Sequence, residues 1–390
     1  MRLNRYTLGT IVISILLASS LWGCREDVVQ AFSSQVRVAQ PLPHIDHWGF
    51  YLLNEGNMGT NASTLDYFDF STGIYTSNIY AERNPKVPKE LGDVGNDLQV
   101  YRGVLWAVIN VSNKIEIMDA TTTKRITTVE IPNCRYVRFH GDYAYVTSYA
   151  GPVSLNPDIA QIGVVYKVDV NTYRIVGRTQ VGYQPDELAI WDGKIYVANS
   201  GGYMSAGRSD RYETEVSVID LETFKETHRI EVAPNLHHIK ADGMGGLWVN
   251  SRGDYLERPS RLYYIDARTE EVKDSFNIAV LNYTMDDNLL YVYGKNTWHS
   301  HKPATLQLSI IDMVSRKVIT EDFITDGTDK QMVNVYGILI DPETKDVYLT
   351  DAGSYTGDGI VFCYTPDGKM KWHTRGGNIP AHFALVKKEY

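Results

Sequence analysis

The sequence predicts an all-β protein, a seven-bladed β-propeller with four-stranded antiparallel blades, and three observations carry the prediction. Short runs ending in Asp recur seven times: Tyr67-Phe68-Asp69, Ile117-Met118-Asp119, Lys167-Val168-Asp169, Val218-Ile219-Asp220, Tyr264-Ile265-Asp266, Ile310-Ile311-Asp312 and, in variant form, Tyr364-Thr365-Pro366-Asp367. Their Asp residues follow one another at intervals of 50, 50, 51, 46, 46 and 55 positions. Upstream of these lies a second alternating run that closes on a polar residue, such as Ile195-Tyr196-Val197-Ala198-Asn199 or Leu105 to Asn110. Finally, Ile379 to Val386 reads as an innermost strand and Trp48 to Leu53 as a second strand lacking its first. The C-terminal strand is therefore expected to join the N-terminal blade and close the ring.

Taken in order, residues 1–23 read as a lipoprotein signal peptide. Arg2 and Arg5 precede an apolar run from Leu8 to Trp22, too short for a bilayer span but suited to a signal core. Leu21-Trp22-Gly23-Cys24 resembles a bacterial lipobox, with Trp22 atypical at the variable position, so Cys24 is the expected lipidation site. Glu26 and Asp27 resemble the surface-export signal of lipoproteins in gut Bacteroidetes, which implies a lipid-anchored protein on the outer-membrane surface. Residues 24–45, with Ser33, Ser34, Pro41 and Pro43 and no periodicity, read as the lipidated Cys and a flexible tether, and 46–390 as the propeller.

Each repeat holds about four short runs of period-two alternation separated by Gly, Asp and Asn turns. In an antiparallel blade the loops from second to third strand and from fourth strand to the next blade share one rim. Those second-to-third loops are long at 54–64, 149–162, 200–215, 251–261, 294–306 and 351–359, whereas 111–114 is short. Long loops concentrated on one face mark that face as functional. The loops and the starts of the inner strands supply the candidate ligand-binding residues Asn54, Glu55, Arg135, Tyr149, Tyr183, Asn199, Tyr203, His237, Arg252, Tyr255, Trp298, Tyr336, Asp351 and Tyr355. Aromatics interleaved with Asn, Asp and Arg suit a large ligand with flat apolar area and a polar periphery. The 27 Tyr against 10 Phe point the same way, towards strands and wet recognition surfaces.

Other classes find less support. A net charge of −9 without a Lys/Arg cluster argues against a nucleic-acid partner. No nucleophile elbow, HExxH or phosphate-binding Gly-rich loop occurs. Trp298-His299-Ser300-His301 offers two imidazoles but no third ligand, so no metal site or cofactor is expected, although Ca²⁺ could stiffen a loop. Strand alternation is expected to send His237 and His238 to opposite sides, and likewise Asp186 and Glu187, which argues against a paired-carboxylate hydrolase. Cys134 and Cys363 do not reveal whether they pair.

The motifs Leu53-Asn54-Glu55-Gly56-Asn57, Val111-Ser112-Asn113-Lys114-Ile115, Ile195-Tyr196-Val197-Ala198-Asn199-Ser200-Gly201 and Val218-Ile219-Asp220 resemble those of YncE-like, YVTN-repeat propellers. With the lipoprotein signal and acidic pair, the whole chain resembles the surface cobalamin-binding lipoproteins of gut Bacteroidetes, the BtuG family. That resemblance implies capture of vitamin B12 and related corrinoids at the cell surface without chemistry on the ligand. It also implies transfer to a TonB-dependent outer-membrane transporter on which the propeller sits as a lid. A surface glycan-binding protein and a lactonase-like or lyase-like propeller hydrolase are the competing expectations.

Overall fold

A computed structural model describes residues 33–87, 90–153, 159–203, 211–255, 258–296 and 305–388. Seven antiparallel sheets form the blades of a ring. From the axis outward, the first blade holds Pro380–Lys387, His47–Asn54, Thr64–Asp69 and Ile74–Ser77. The others run from their inner strands Gly95–Tyr101, Cys134–His140, Pro185–Trp191, Leu236–Ala241, Asn282–Asp286 and Val335–Ile340 to outer strands ending at Glu130, Gln180, Glu231, Phe276, Thr320 and Asn378. The C-terminal strand does close the first blade, with Phe50 opposite Leu385 and Leu53 opposite His382.

The N-terminal boundary differs from the expected tether. Ser34–Arg37 is a fifth strand on the outside of the first blade, Ser34 facing Ser77 and Arg37 facing Ile74. Beyond it His44 is buried, stacked 3.8 Å from the Phe70 ring, with Nε2 2.5 Å from Asp341 Oδ2. The Glu343 carboxylate accepts the amides of Ile45 and Asp46. The sequence hides this segment because its partners are distant along the chain, about 40 residues for the strand and about 300 for His44 and the Ile45 amide.

The recurring Asp residues cap turns. Asp119 Oδ1 accepts the amides of Thr121 and Thr122 and the Thr122 hydroxyl, and Asp69, Asp169, Asp220, Asp266 and Asp312 make similar bonds. Four residues after each of these six Asp the chain adopts positive φ, at Gly73 and at the non-glycine residues Thr123, Tyr173, Phe224, Glu270 and Arg316. This bend aims the side chain at an aromatic of the preceding blade: Thr123 bonds the Tyr51 hydroxyl at 2.7 Å, Tyr173 packs on Trp106, Phe224 on Tyr145, and Arg316 lies over Tyr264. Tyr51, Trp106, Tyr145, Tyr196, Trp248 and Tyr348 are buried at equivalent second-strand positions. Much of the aromatic content therefore packs blade on blade rather than serving a wet surface. Cys134 and Cys363 are free and buried, and burial pushes the Cys134 thiol up to about 12.

Candidate functional site

The described parts of the loops from second to third strand gather around a central cavity of about 1240 Å³. Inner-strand starts form its floor. In six blades the pairing of first and second strand slips by one residue near this end, at Gly95/Asp97, Val137/Cys134, Pro185/Leu188, Leu236/Ile239, Val335/Gly337 and His382/Pro380. A bulge of this kind breaks side-chain alternation, so neighbouring residues can both turn to the axis.

The expected separation of His237 from His238, and of Asp186 from Glu187, therefore fails. The two imidazole centroids lie 3.7 Å apart. Asp186 Oδ1 accepts Arg135 Nε and the Tyr149 hydroxyl, each at 3.0 Å, while Arg252 Nη1 lies 3.6 Å from Oδ2. Arg252 Nη2 donates to His237 Nε2 at 2.7 Å, and the Tyr136 hydroxyl lies 3.1 Å from the same nitrogen. Below this layer Glu187 bonds Arg138, accepts from His238 Nδ1 at 2.8 Å, and Arg138 reaches Asp97 Oδ2 at 2.8 Å.

Burial and surrounding positive charge from Arg252 hold His237 well below the usual imidazole value. Burial likewise lowers His238 to about 4, against the pull of Glu187. Both are neutral at pH 7. Burial would raise the Glu187 carboxyl, but Arg138 and Lys240 outweigh it and hold the group ionised. Across the cavity Glu55 accepts the Tyr336 hydroxyl at 3.1 Å and bonds His382 Nε2 at 3.0 Å; the Glu55 charge, then burial, push the Tyr336 phenol well up. Among the described residues no group of three or more His, Cys, Asp or Glu gathers for a metal ion.

A family described as "Domain of unknown function (DUF5074)" matches residues 48–364. The chain belongs to this family. No curated protein matches its sequence. Among solved structures, this DUF5074 chain is similar to a hypothetical selenium-binding protein from Sulfolobus tokodaii, with 12% identity, TM-score 0.61, and 90% of this chain and 98% of that chain covered. It is also similar to a quinonprotein alcohol dehydrogenase-like protein from Bacteroides thetaiotaomicron, with 13% identity, TM-score 0.60, and coverage of 88% and 79%. Such distant likeness shows the fold alone.

On this DUF5074 propeller the structure brings Glu55, Arg135, Tyr149, Tyr203, His237, Arg252, Tyr255, Tyr336 and Tyr355 to the cavity wall. Tyr203, Tyr255 and Tyr355 keep 44, 38 and 38% of their surface exposed, so they can offer ring area to a ligand. Exposed Met58, Val111, Val153 and Leu281 extend this apolar rim.

Asn54, Asn199 and Asp351 do not line the wall, because they are buried and bonded within the blades. Asn54 joins the Thr64 hydroxyl and the Gly377 amide, Asn199 joins Glu215 O and Ser217, and Asp351 accepts the amides of Val333, Asn334 and Gly353. Two equivalent residues satisfy backbone groups beside a bulge: Asn250 accepts the His238 amide of its own blade, and Asn110 donates to Cys134 O of the next blade. Tyr183 is half-buried, its amide on Glu213, and is not on the wall. Trp298, His299, His301 and Cys24 lie outside the described residues. Tyr136, His238, Asn96, Asn133, Tyr293 and His382 are among the lining residues beyond the expected set. The one signal for them was their position at or near inner-strand starts, except for Tyr293, which lies on the second strand Leu289–Asn296.

Proposed function

We propose that the protein captures a corrinoid, cobalamin or a relative, in this mouth and delivers it to a TonB-dependent outer-membrane transporter, without chemistry on the ligand. The observation that carries the reading is the mouth itself. Its volume exceeds the roughly 300–1,000 Å³ of ordinary small-molecule pockets, and exposed Tyr rings alternate around it with amide, carboxylate and guanidinium groups. A corrin ring has apolar faces for Tyr203, Tyr255 and Tyr355, and amide side chains for Asn96, Asn133 and Asn282. Inner strands locked by bulge-capping bonds hold the floor in place before binding, which lowers the ordering cost.

The N-terminal strand supports a lid arrangement. Ser34 pairs with Ser77 at the mouth end of the outermost strands, and Ser33 donates to Glu82 there. A lipid on Cys24 would be linked through residues 25–33, which reach at most about 30 Å. The mouth rim would then be held near the outer-membrane surface.

Gel filtration of the purified protein with cyanocobalamin tests the reading. Co-elution of corrin absorbance with protein is expected, and its absence at micromolar concentrations of both overturns it. Binding of an oligosaccharide in place of the corrinoid would establish the glycan-binding alternative.

A further inference from the structure

We propose that the floor of the mouth is an anion seat in which Arg135 and Arg252 hold a phosphate or carboxylate group of the ligand. In the corrinoid reading, on which this assignment to a ligand rests, that group is the phosphodiester of the nucleotide loop. The chemistry follows from an uneven sharing of charge. Two guanidinium groups line this part of the cavity, and Asp186 is the one carboxylate paired with either of them among the described residues. Asp186 is fully buried and spends Oδ1 on Arg135 and Tyr149, while its Oδ2 has no hydrogen bond.

Arg252 is held differently. Its short bond goes to His237 Nε2, a neutral acceptor that fixes the guanidinium without cancelling its charge. His237 adds no charge of its own, because burial and the guanidinium keep it unprotonated. Among the described residues Arg252 Nε and Arg135 Nη1 have no hydrogen-bond partner, and both side chains line the cavity. Tyr149, Tyr136 and Tyr203 pack around Arg135, which stacks 5.0 Å from the Tyr149 ring centre and so keeps the fork oriented. A partly desolvated site with one net positive charge and unspent, fixed donors favours a divided-charge oxyanion over a neutral group. Of the two glutamates in the cavity lining, Glu55 is engaged by Tyr336 and His382, and Glu130 is exposed to solvent.

Titration calorimetry with cyanocobalamin and with dicyanocobinamide, which lacks the nucleotide and its phosphate, separates this from general binding. Arg252→Gln is expected to weaken cyanocobalamin about tenfold to a hundredfold, the range for loss of a charged hydrogen bond, and cobinamide less than threefold. Asp186→Asn keeps an acceptor for Arg135 and Tyr149 but removes the countercharge, so it is expected to tighten cyanocobalamin several-fold. A merely structural role would weaken both ligands in both variants, and that result overturns the seat, as does no change in either. Should the wild type take neither corrinoid, the functional reading fails and pyrophosphate decides the seat separately. At matched ionic strength a rise in wild-type melting temperature that Arg252→Gln abolishes upholds it, and no rise refutes it.

Discussion

His237 and His238 are neutral because the ring axis strips them of water, and this links the site to stability. Their native values are depressed, His238 to about 4, whereas the unfolded imidazoles titrate near 6.5. Between those limits the unfolded chain binds more protons than the native one. Their contribution is therefore complete above about pH 6.5 and is lost as pH falls, at up to about 1.4 kcal/mol per pH unit for each imidazole. Urea midpoints measured from pH 5 to 6.5 should rise with pH, and the slope should be shallower in His238→Gln. An unchanged slope would contradict the assignment of His238. None of this was readable from the dipeptide, since alternation predicted opposite directions and only the bulge turns both rings inward.

The polar residue that ends each second strand belongs to the scale of the element. In sequence, Asn199, Asp351 and Asn54 looked like loop-face ligands. In the structure they are internal braces: Asn199 ties to the third strand, Asn54 to Thr64 and the Gly377 amide of the last blade, and Asp351 to the amides leading into its inner strand, while Asn250 and Asn110 reach the bulged inner strands. Asn250→Ala removes the acceptor of the buried His238 amide, and a loss of about 1–3 kcal/mol in chemical denaturation is expected. Trp106→Ala, at a fully buried contact between blades, should cost about 3–5 kcal/mol by the same measurement. A cost below 1 kcal/mol in that variant would mean that the turn residue Tyr173 does not fasten one blade to the next. Strand identity and turn position were legible because each depends on a few adjacent residues: apolar alternation, then Asp with Thr or Ser. Which polar groups reach the cavity was not, because that depends on a one-residue slip in pairing.

For the whole molecule the seam between the first and last blades matters most. It is closed by Pro380–Lys387 from the C-terminus and, from the N-terminus, by the contacts of His44 and His47 with Asp341 and Glu343, while the fifth strand extends the outer edge of the first blade. Ending the chain at Ile379 removes the axial strand of the first blade, and loss of a cooperative thermal transition is expected. Removing residues 25–43 takes away the fifth strand but leaves the mouth. That variant should melt earlier yet keep its ligand affinity, and a loss of affinity would place the N-terminal segment in the binding surface.

The sequence by itself determined the seven blades and the strand that closes the ring. Each of these is written in local alternation and in a repeat that needs no knowledge of distant partners. Tertiary structure alone decided that adjacent residues converge on the axis, that several expected ligands are internal braces, and that two arginines share one carboxylate. Those outcomes depend on pairing register and on side chains brought together from different blades, and neither distance nor register is encoded in the order of residues along a single strand.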